Sequence, residues 1–285
     1  MIRSGFTITE VLVSLTVVGL LMSLLVPAVQ NARASARLTE CRNNLKQVGV
    51  AIHVVHDAKQ RLSCHHELLY HYGMGVPGYD RFVTSAIYDM GPVFQCPSDP
   101  NAMTDGTYFS YLASSGAEFG AGNGYLSAGD GNAEFSRQAS EFTDGLSQTV
   151  AFSERAILNT ADQLNPRDDP KKYAAWLSGP VWNFGEEQQF VEICKSSGTS
   201  GVPLFRPRAY GNTHLLTPNT RGCWNNAPVN DQRLQAYIPA SSYHPGGVNA
   251  LFVDGHVSFV SDSIDSKVWQ AIGTISGHEV IEIPF

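Results

Sequence analysis

Residues 11–29 of the chain read VLVSLTVVGLLMSLLVPAV, an apolar run without a single charged side chain. As a helix rising about 1.5 Å per residue, a run of this length matches the roughly 30 Å hydrocarbon core of a bilayer. It is also longer than the apolar core of an ordinary secretory signal, which is about 7–15 residues. The run therefore predicts a transmembrane helix over residues 11–29.

The residues in front of the run are polar. A short segment, residues 1–5, is followed by FTITE, so that Glu10 stands at the mouth of the apolar helix. An ionised carboxylate at this place costs on the order of a few kcal/mol unless it is paired or reaches the membrane interface. We therefore treat the position of Glu10 as functional. Pro27, inside the run, removes one helix hydrogen bond and predicts a local bend.

The complete segment GFTITEVLVSLTVVGLLMSLLVPAV, residues 5–29, resembles the type IV prepilin signature. In that family a prepilin peptidase cuts after the Gly and methylates the new N-terminus. The resemblance thus implies a leader of residues 1–5, cleavage between Gly5 and Phe6, and N-methylation of Phe6. It also implies that Glu10 pairs with the amino group of a neighbouring subunit inside a filament, so that each charge offsets the desolvation of the other.

Two other interpretations of the N-terminus stay open. Ala34, Ser35 and Ala36 form an A-x-A pattern that is typical of secretory signal cleavage. The run is also compatible with an uncleaved anchor that carries an unrelated domain. Arg33 and Arg37 follow the run, whereas Arg3 precedes it, so the positive-inside rule gives little information on orientation.

The helical pattern continues beyond the membrane run. Apolar residues recur at alternating steps of three and four, which places them on one face of a helix: Leu38, Cys41, Leu45, Val48, Ile52 and Val55. Polar residues, among them Asn44 and Lys46, occupy the opposite face. The pattern predicts one helix over residues 6–59, about 80 Å long, with a membrane half and a half that packs against residues 60–285.

From residue 60 onward, short apolar runs alternate with Gly, Pro, Asn, Asp and Ser, which favours β-structure with long loops. Asp254-Gly255, between strand-like residues 248–253 and 256–260, predicts a hairpin with a type I′ turn. A weaker turn at Asp144-Gly145 precedes a strand at 148–152, and residues 266–272 favour a short helix. The predicted fold is α+β and pilin-like, with the long helix packed on an antiparallel β-rich head.

A second resemblance covers most of the chain. The head is similar to a large prepilin-like family whose head is a domain of unknown function with a C-terminal H-x9-DG signature, which is matched here by His244, Asp254 and Gly255. The matching segments are residues 41–47, 96–100, 143–147 and 244–255. Residues 61–78 depart from the usual Pro-rich stretch. The resemblance implies a pseudopilin-like, secretion-associated role and no known catalysis.

Candidate metal and phosphate sites are weak in the sequence. His66-Glu67 with His71, near Cys64 and His65, is one residue too long for the H-E-x-x-H zinc motif. Asp130, Asn132 and Glu134 alternate like a calcium loop, but Phe135 follows where an EF-hand needs Gly. Glycines 120, 122 and 124 do not open a helix as a phosphate loop requires. We expect neither a metal nor a cofactor.

Catalysis is also not expected. His244 and Asp254, with Ser241 or Ser242 as nucleophile, would make an acid–base set, but turn geometry accounts better for these residues. Asp254 suits the hairpin turn, and His244 is expected to hydrogen-bond within the corner at Pro245-Gly246-Gly247. We therefore predict a structural protein and no enzyme.

The five cysteines are compatible with an oxidising compartment. Cys41 and Cys96 lie in segments that resemble the family and are one candidate pair, tying helix to head. Cys194 and Cys223 are a second, which would close a late loop. Four cysteines allow three connectivities, and Cys64 is left over in this scheme.

The formal net charge of -7 argues against a protein that needs a basic face for nucleic acid. The expected partners are a prepilin peptidase, other pilin-like subunits in a homo- or hetero-oligomeric filament, and the inner membrane before assembly. The expected head is extracytoplasmic, on a single-pass anchor that later joins a periplasmic or surface filament. The alternative is an anchored domain that binds or cleaves glycans or polypeptides, suggested by Trp176, Trp182 and Trp224 in loop-rich surroundings.

Overall fold

The computed structural model describes residues 7–62, 92–102, 109–118, 123–126, 137–157, 173–176, 182, 185–196, 201–203, 211–224 and 236–277. Within these ranges the chain forms a long helix, α1 (Ile8–Lys59), and two shorter helices, α2 (Glu187–Ser196) and α3 (Ser266–Ala271). Nine strands form two sheets. The predicted α+β class, with a long helix packed on a β-rich head, is confirmed.

Helix α1 begins after its N-cap residue, Thr7, and ends at Gln60, whose left-handed backbone (φ 57°) stops the helix. It is helical throughout, including at Pro27, where the sequence predicted a local bend. Its side chains divide into two parts. Residues 8–37 are all exposed, whereas every buried residue of α1 lies between Cys41 and Val55. We call residues 8–29 the apolar segment and residues 41–59 the packed segment.

The first sheet carries the packed segment of α1. Its five strands are β1 (Tyr111–Gly116), β2 (Val150–Glu154), β5 (Asn212–Thr213), β8 (Gly247–Phe252) and β9 (Val257–Ser261). Their order is β5-β1-β2-β8-β9. All neighbours are antiparallel except β1 and β5, which run parallel. The sheet is thus mixed and mostly antiparallel, and the long connection from β1 to β5 allows these two strands to run parallel.

A smaller second sheet is formed by β3 (Tyr173–Trp176), β4 (Gly201–Pro203), β6 (Gly222–Trp224) and β7 (Ala236–Tyr237). Its order is β4-β3-β6-β7, and β3 and β6 are parallel. Helix α2 packs beside this sheet through Phe190, whose ring meets that of Tyr237 edge to face at 4.8 Å between centroids. An isolated bridge joins Thr213 of the first sheet to Pro239, two residues after β7.

The main core lies between α1 and the first sheet. Leu45 and Ile52 of the helix are at most 1 % exposed and belong to the same buried cluster as Tyr111, Phe152 and Leu251. The periodic pattern identified this face of the helix, with one error. Asn44, predicted on the solvent side, is buried because the segment at Gln95 covers it, and its Nδ2 donates to the Gln95 carbonyl oxygen at 3.0 Å.

The β8–β9 hairpin forms where the sequence predicted it, but its turn is of a different type. A type I′ turn needs positive φ at both central residues. Gly255 has φ 90°, whereas Asp254 does not have a positive φ. Gly255 N donates to the Phe252 carbonyl oxygen and Phe252 N donates to that of His256, both at 2.9 Å. The loop therefore has three residues and ends in a left-handed glycine.

Candidate functional site

The first candidate site is the start of α1, where Thr7 and Glu10 form a capping box. The Thr7 amide and hydroxyl both donate to Glu10 Oε2 at 2.8 Å, and the Glu10 amide donates to Thr7 Oγ1 at 3.4 Å. This arrangement satisfies backbone donors that the first helical turn leaves without intrahelical partners. Glu10 therefore has a local role that the sequence analysis did not assign, although the T-x-x-E spacing was readable.

The apolar segment presents its large side chains to the outside. They are between 42 and 84 % exposed: Ile8, Val11, Leu12, Val13, Leu15, Val17, Val18, Leu20, Leu21, Met22, Leu24, Leu25, Val26 and Val29. Helix α1 is long and apolar enough to cross a membrane, and none of its most apolar window is buried against the head. The segment accordingly has the length and composition of a single membrane span or a signal anchor.

Several sequence candidates lie outside the described residues. They are the cleavage pair Gly5 and Phe6, the loop with Cys64, His65, His66 and His71, the alternating Asp130, Asn132 and Glu134, and Gly120 and Gly122. The side chains of Trp176 and Trp224 also lie outside them. Trp182 is described and is buried in the apolar cluster beside α2.

The second candidate site lies beneath the packed segment of α1. A disulfide joins Cys41 of α1 to Cys96, with 5.0 Å between the Cα atoms. His244 Nε2 lies 3.4 Å from Cys96 Sγ and 3.2 Å from Oε1 of Glu154, the last residue of β2. We call these four residues the disulfide cluster. Each is at most 5 % exposed, so the cluster is closed to solvent.

A second layer of side chains holds Glu154 in place. The backbone amide of Asn249 donates to Glu154 Oε2 at 2.7 Å, and Asn249 Nδ2 donates to Oε1 at 2.9 Å. Arg42 of α1 donates from Nε to Asn249 Oδ1 at 3.0 Å, and its guanidinium lies 5.7 Å from the centre of the Phe259 ring. A polar chain therefore runs from the helix through β8 to the carboxylate.

Tyr111 of β1 borders the same region. Its hydroxyl donates to the Cys41 carbonyl oxygen at 3.3 Å. Burial, and secondarily the charge of Glu154, raise the pKa of Tyr111 well above its ordinary value. The phenol consequently keeps its proton and serves as a hydrogen-bond donor to the helix.

The expected role of His244 is wrong in one respect. The sequence predicted that His244 hydrogen-bonds within the Pro245-Gly246-Gly247 corner, whereas its side chain contacts Glu154 and Cys96. Only the His244 backbone takes part in the corner, by donating to Ser242 Oγ at 3.1 Å. The H-x9-DG motif therefore contributes its histidine to the core and its Asp-Gly to a turn.

The arrangement of an acid–base set around Ser241 or Ser242 is not present. Asp254 lies on the hairpin, where its Oδ1 is 2.6 Å from Nδ1 of His256. Ser241 Oγ accepts from the Ala156 amide at 3.0 Å, and Ser242 Oγ donates to the Gly247 carbonyl oxygen at 2.6 Å. Both hydroxyls are thus engaged in holding the backbone.

The two Asp-Gly turns connect separate parts of the head. Gly145 has φ 101°, and Asp144 Oδ2 accepts from the Gly277 amide at 2.7 Å, beyond α3. In the other turn the Gly255 carbonyl oxygen accepts from Lys46 Nζ of α1 at 2.7 Å. A Cβ at Gly49 would lie 3.0 Å from Leu251 and 3.4 Å from Gly255, so this glycine allows the hairpin to approach α1 closely.

The second disulfide has different surroundings. Cys194 of α2 is joined to Cys223 of β6, with 5.9 Å between the Cα atoms. Its neighbours in the buried cluster are apolar or aromatic: Trp182, Phe190, Leu215, Leu216 and Tyr237. The structure thus contains both cysteine pairs that the sequence predicted as candidates.

Comparison with known proteins gives one match. A family model described as "Protein of unknown function (DUF1559)" matches residues 30–62 and 75–267. The matched ranges include the whole disulfide cluster and begin after the apolar segment. Neither a search of curated proteins nor a search of solved structures gave a match.

Proposed function

The chain belongs to the DUF1559 family of proteins of unknown function, and from that premise we propose that it is a type IV pilin-like subunit of a filament or a type II secretion-like pseudopilus. In this proposal α1 anchors the precursor in the inner membrane, with the head on the extracytoplasmic side. After processing, the apolar segment leaves the bilayer and packs against the same segment of neighbouring subunits.

The observation that carries the proposal is the continuity of α1 through two environments. One uninterrupted helix, Ile8–Lys59, leaves its first part exposed and apolar and buries its second part in the head. An ordinary signal peptide needs no rigid connection to the domain behind it. A filament subunit needs one, because the helix must hold the head in a set position relative to the filament core.

Glu10 gives the proposal its chemistry. The carboxylate stands at the first turn of the apolar segment and is exposed to partners outside the chain. Cleavage after Gly5 would place the new amino group of Phe6 next to the capping residue Thr7, near the carboxylate of an adjacent subunit. A cation from a neighbour would offset the cost of keeping Glu10 ionised among apolar helices.

The proposed protein is structural and has no catalytic activity. The two serines considered as nucleophiles, Ser241 and Ser242, use their hydroxyls in hydrogen bonds to the backbone. The proposed partners are accordingly a prepilin peptidase, which cuts between Gly5 and Phe6 and methylates Phe6, and other pilin-like subunits.

The mature N-terminus tests the proposal directly. The full chain is produced in membranes with and without a co-expressed prepilin peptidase and analysed by intact mass and N-terminal peptide sequencing. We expect a chain that begins with N-methylated Phe6 only when the peptidase is present, and no such product from a Gly5→Leu variant. A chain that begins after Ala36, or that keeps residues 1–5 with an active peptidase, would remove the filament assignment.

A further inference from the structure

The disulfide cluster brings together four metal-binding side chains. The ligand atoms of Cys41, Cys96, Glu154 and His244 all lie within 4.8 Å of one another, although the residues come from α1, a loop, β2 and the β7–β8 connection. Two sulfurs, one imidazole nitrogen and one carboxylate oxygen form a donor set that suits Zn²⁺. All four side chains are buried, so no position is left open to solvent.

The distances fit a tetrahedral zinc site. With Zn–S near 2.3 Å and Zn–N and Zn–O near 2.0–2.2 Å, tetrahedral angles place sulfur and nitrogen about 3.6 Å apart and nitrogen and oxygen about 3.3 Å apart. The corresponding separations are 3.4 Å from Cys96 Sγ to His244 Nε2 and 3.2 Å from His244 Nε2 to Glu154 Oε1. The two sulfurs, which are bonded in the disulfide, must move apart to about 3.8 Å, and the remaining ligand atoms lie within 4.8 Å of one another.

The second layer is of the kind that orients metal ligands. Asn249 holds both oxygens of Glu154, and Arg42 in turn holds Asn249. Hydrogen bonds of this sort fix the direction of a ligand before the metal binds. The charges also balance, because two thiolates, one carboxylate, one Zn²⁺ and the nearby Arg42 sum to zero.

A disulfide alone does not account for the two polar residues beside it. Burying a carboxylate and an imidazole costs several kcal/mol of desolvation, and a sulfur–sulfur bond needs neither group. The polar pair is therefore better explained by a second state of Cys41 and Cys96.

We propose that the dithiol form of the chain binds one Zn²⁺ through Cys41, Cys96, Glu154 and His244, and that this state and the Cys41–Cys96 disulfide exclude each other. Cysteines are synthesised as thiols, so the zinc form needs no reductant. Binding releases the two thiol protons to solvent. A disulfide-bearing oxidant later takes two electrons from the thiolates, its own S–S bond is reduced to two thiols with two protons from solvent, and Zn²⁺ leaves. The proposal does not depend on filament assembly.

The zinc state would hold α1 on the head before oxidation. Cys41 lies on the helix, and the other three ligands come from the head. Metal-binding free energy becomes folding free energy when the site does not exist in the unfolded chain. The helix and head are thus joined at the same point in both states, first by the metal and then by the disulfide.

Metal binding by the full chain in detergent is the test. The chain is reduced with a phosphine, incubated with Zn²⁺ or Co²⁺, desalted and analysed for metal content. We expect one metal ion per reduced chain, none per oxidised chain, and a cobalt spectrum with thiolate charge-transfer bands and the intense d–d bands of tetrahedral coordination. Cys41→Ser with Cys96→Ser should abolish binding.

The matched control is Cys194→Ser with Cys223→Ser, which removes the same number of thiols and should leave binding intact. Asn249→Ala, which changes no ligand, should lower zinc affinity by about 10- to 100-fold. Glu154→Gln should lower it at least as much. Near-UV circular dichroism reports whether each reduced variant is folded.

Three results would overturn the proposal. The first is a reduced, folded chain that takes up no metal. The second is unchanged metal content after removal of Cys41 and Cys96. The third is a reduced chain that unfolds and does not refold when Zn²⁺ is added. A metal that binds only the folded chain must stabilise the folded state.

Discussion

The apolar and packed segments of α1 belong to one helix and meet different surroundings. Leu24 in the apolar segment is 68 % exposed, whereas Leu45 in the packed segment is fully buried against the sheet. Helix formation alone does not distinguish them. The difference shows that the head covers the packed segment, whereas the described residues of the head leave the apolar segment exposed.

This difference has a physical basis in the head. The five-stranded sheet offers an apolar face to residues 41–59, and Gly49 lets the β8–β9 hairpin approach the helix. The Cys41–Cys96 bond and the bond from Lys46 to Gly255 fix the helix on that face. An apolar surface as large as that of residues 8–29 marks a membrane or protein contact.

The largest expected effect compares one leucine in each segment. Leu45→Ala should lower the free energy of unfolding of the head by about 2–5 kcal/mol, because it leaves a cavity in the core. Leu24→Ala should change it by less than about 0.5 kcal/mol, because the Leu24 side chain is 68 % exposed. Denaturant unfolding of the full chain in detergent, followed by near-UV circular dichroism, measures both. Equal losses would mean that the two segments do not differ in this way.

The second prediction distinguishes the helix-capping role of Glu10 from its proposed pairing with the amino group of a neighbouring subunit. Glu10→Gln keeps an N3 side chain suited to a capping box but removes the charge, whereas Thr7→Ala keeps the charge and removes the cap. If a neighbouring amino group pairs with Glu10, the Gln variant loses on the order of 2–3 kcal/mol of assembly free energy. Thr7→Ala should assemble nearly normally. The fraction recovered in sheared filaments, relative to the membrane fraction, is the measurement.

The control for this comparison is processing. Both variants should still insert into the membrane and lose residues 1–5, as determined by intact mass. Should Thr7→Ala assemble as poorly as Glu10→Gln, the carboxylate would act through the helix cap and not through a charge on another subunit.

The third prediction concerns acid and the head. His214 is buried, its Nδ1 lies 2.9 Å from the Trp269 carbonyl oxygen, and its ring stacks on Trp269 at 4.0 Å between centroids. Burial lowers the pKa of His214 to about 4 from the ordinary 6.5. The unfolded chain therefore binds a proton that the folded chain excludes, so stability present above pH 6.5 is lost as the pH falls toward 4.

From about pH 7 to about pH 5 this one group should lower the free energy of unfolding by about 2 kcal/mol. His214→Phe keeps an aromatic ring beside Trp269 and removes the titrating group. The loss of unfolding free energy between pH 7 and pH 5 should therefore be about 2 kcal/mol smaller in this variant. Thermal unfolding at several pH values measures it. If the unfolding free energy of His214→Phe depends on pH as it does in the unchanged chain, the acid sensitivity belongs to other groups. Helix α1 should stay helical at every pH tested.

The packed segment could be predicted from the sequence, because the apolar positions on one face of a helix recur every three or four residues. The same logic failed at Asn44, whose burial depends on the distant Gln95. It also could not show that β1 and β5 run parallel, since no short turn joins them. The hairpin was readable from Asp254-Gly255, but its turn type depends on the backbone angle at Asp254.

The disulfide cluster shows more clearly which contacts could not be predicted from the sequence. His244 attracted attention through its motif, and its motif partner Asp254 was considered as the acid. Its actual partner is Glu154, at the end of a strand that is distant in sequence. The sequence signal for Glu154 was its place as the last residue of the strand VAFSE. This signal is weak, because an acidic residue at the end of a strand is usually exposed. Only the pairing of β2 with β8 brings Glu154 to Asn249 and His244.

The smallest expected effect tests the contact between the packed segment and the hairpin. Lys46→Met keeps the aliphatic stem and removes the donor to the Gly255 carbonyl oxygen. Because Lys46 is exposed, we expect a loss of only about 0.5–1 kcal/mol in the unfolding of the head. The rate of hydrogen exchange should rise more at the amides of β9 than at those of β1, because the bond from Lys46 contacts the β8–β9 hairpin and not β1. A uniform rise in both strands would mean that α1 and the sheet open as one unit, and that Lys46 acts on the whole packed segment.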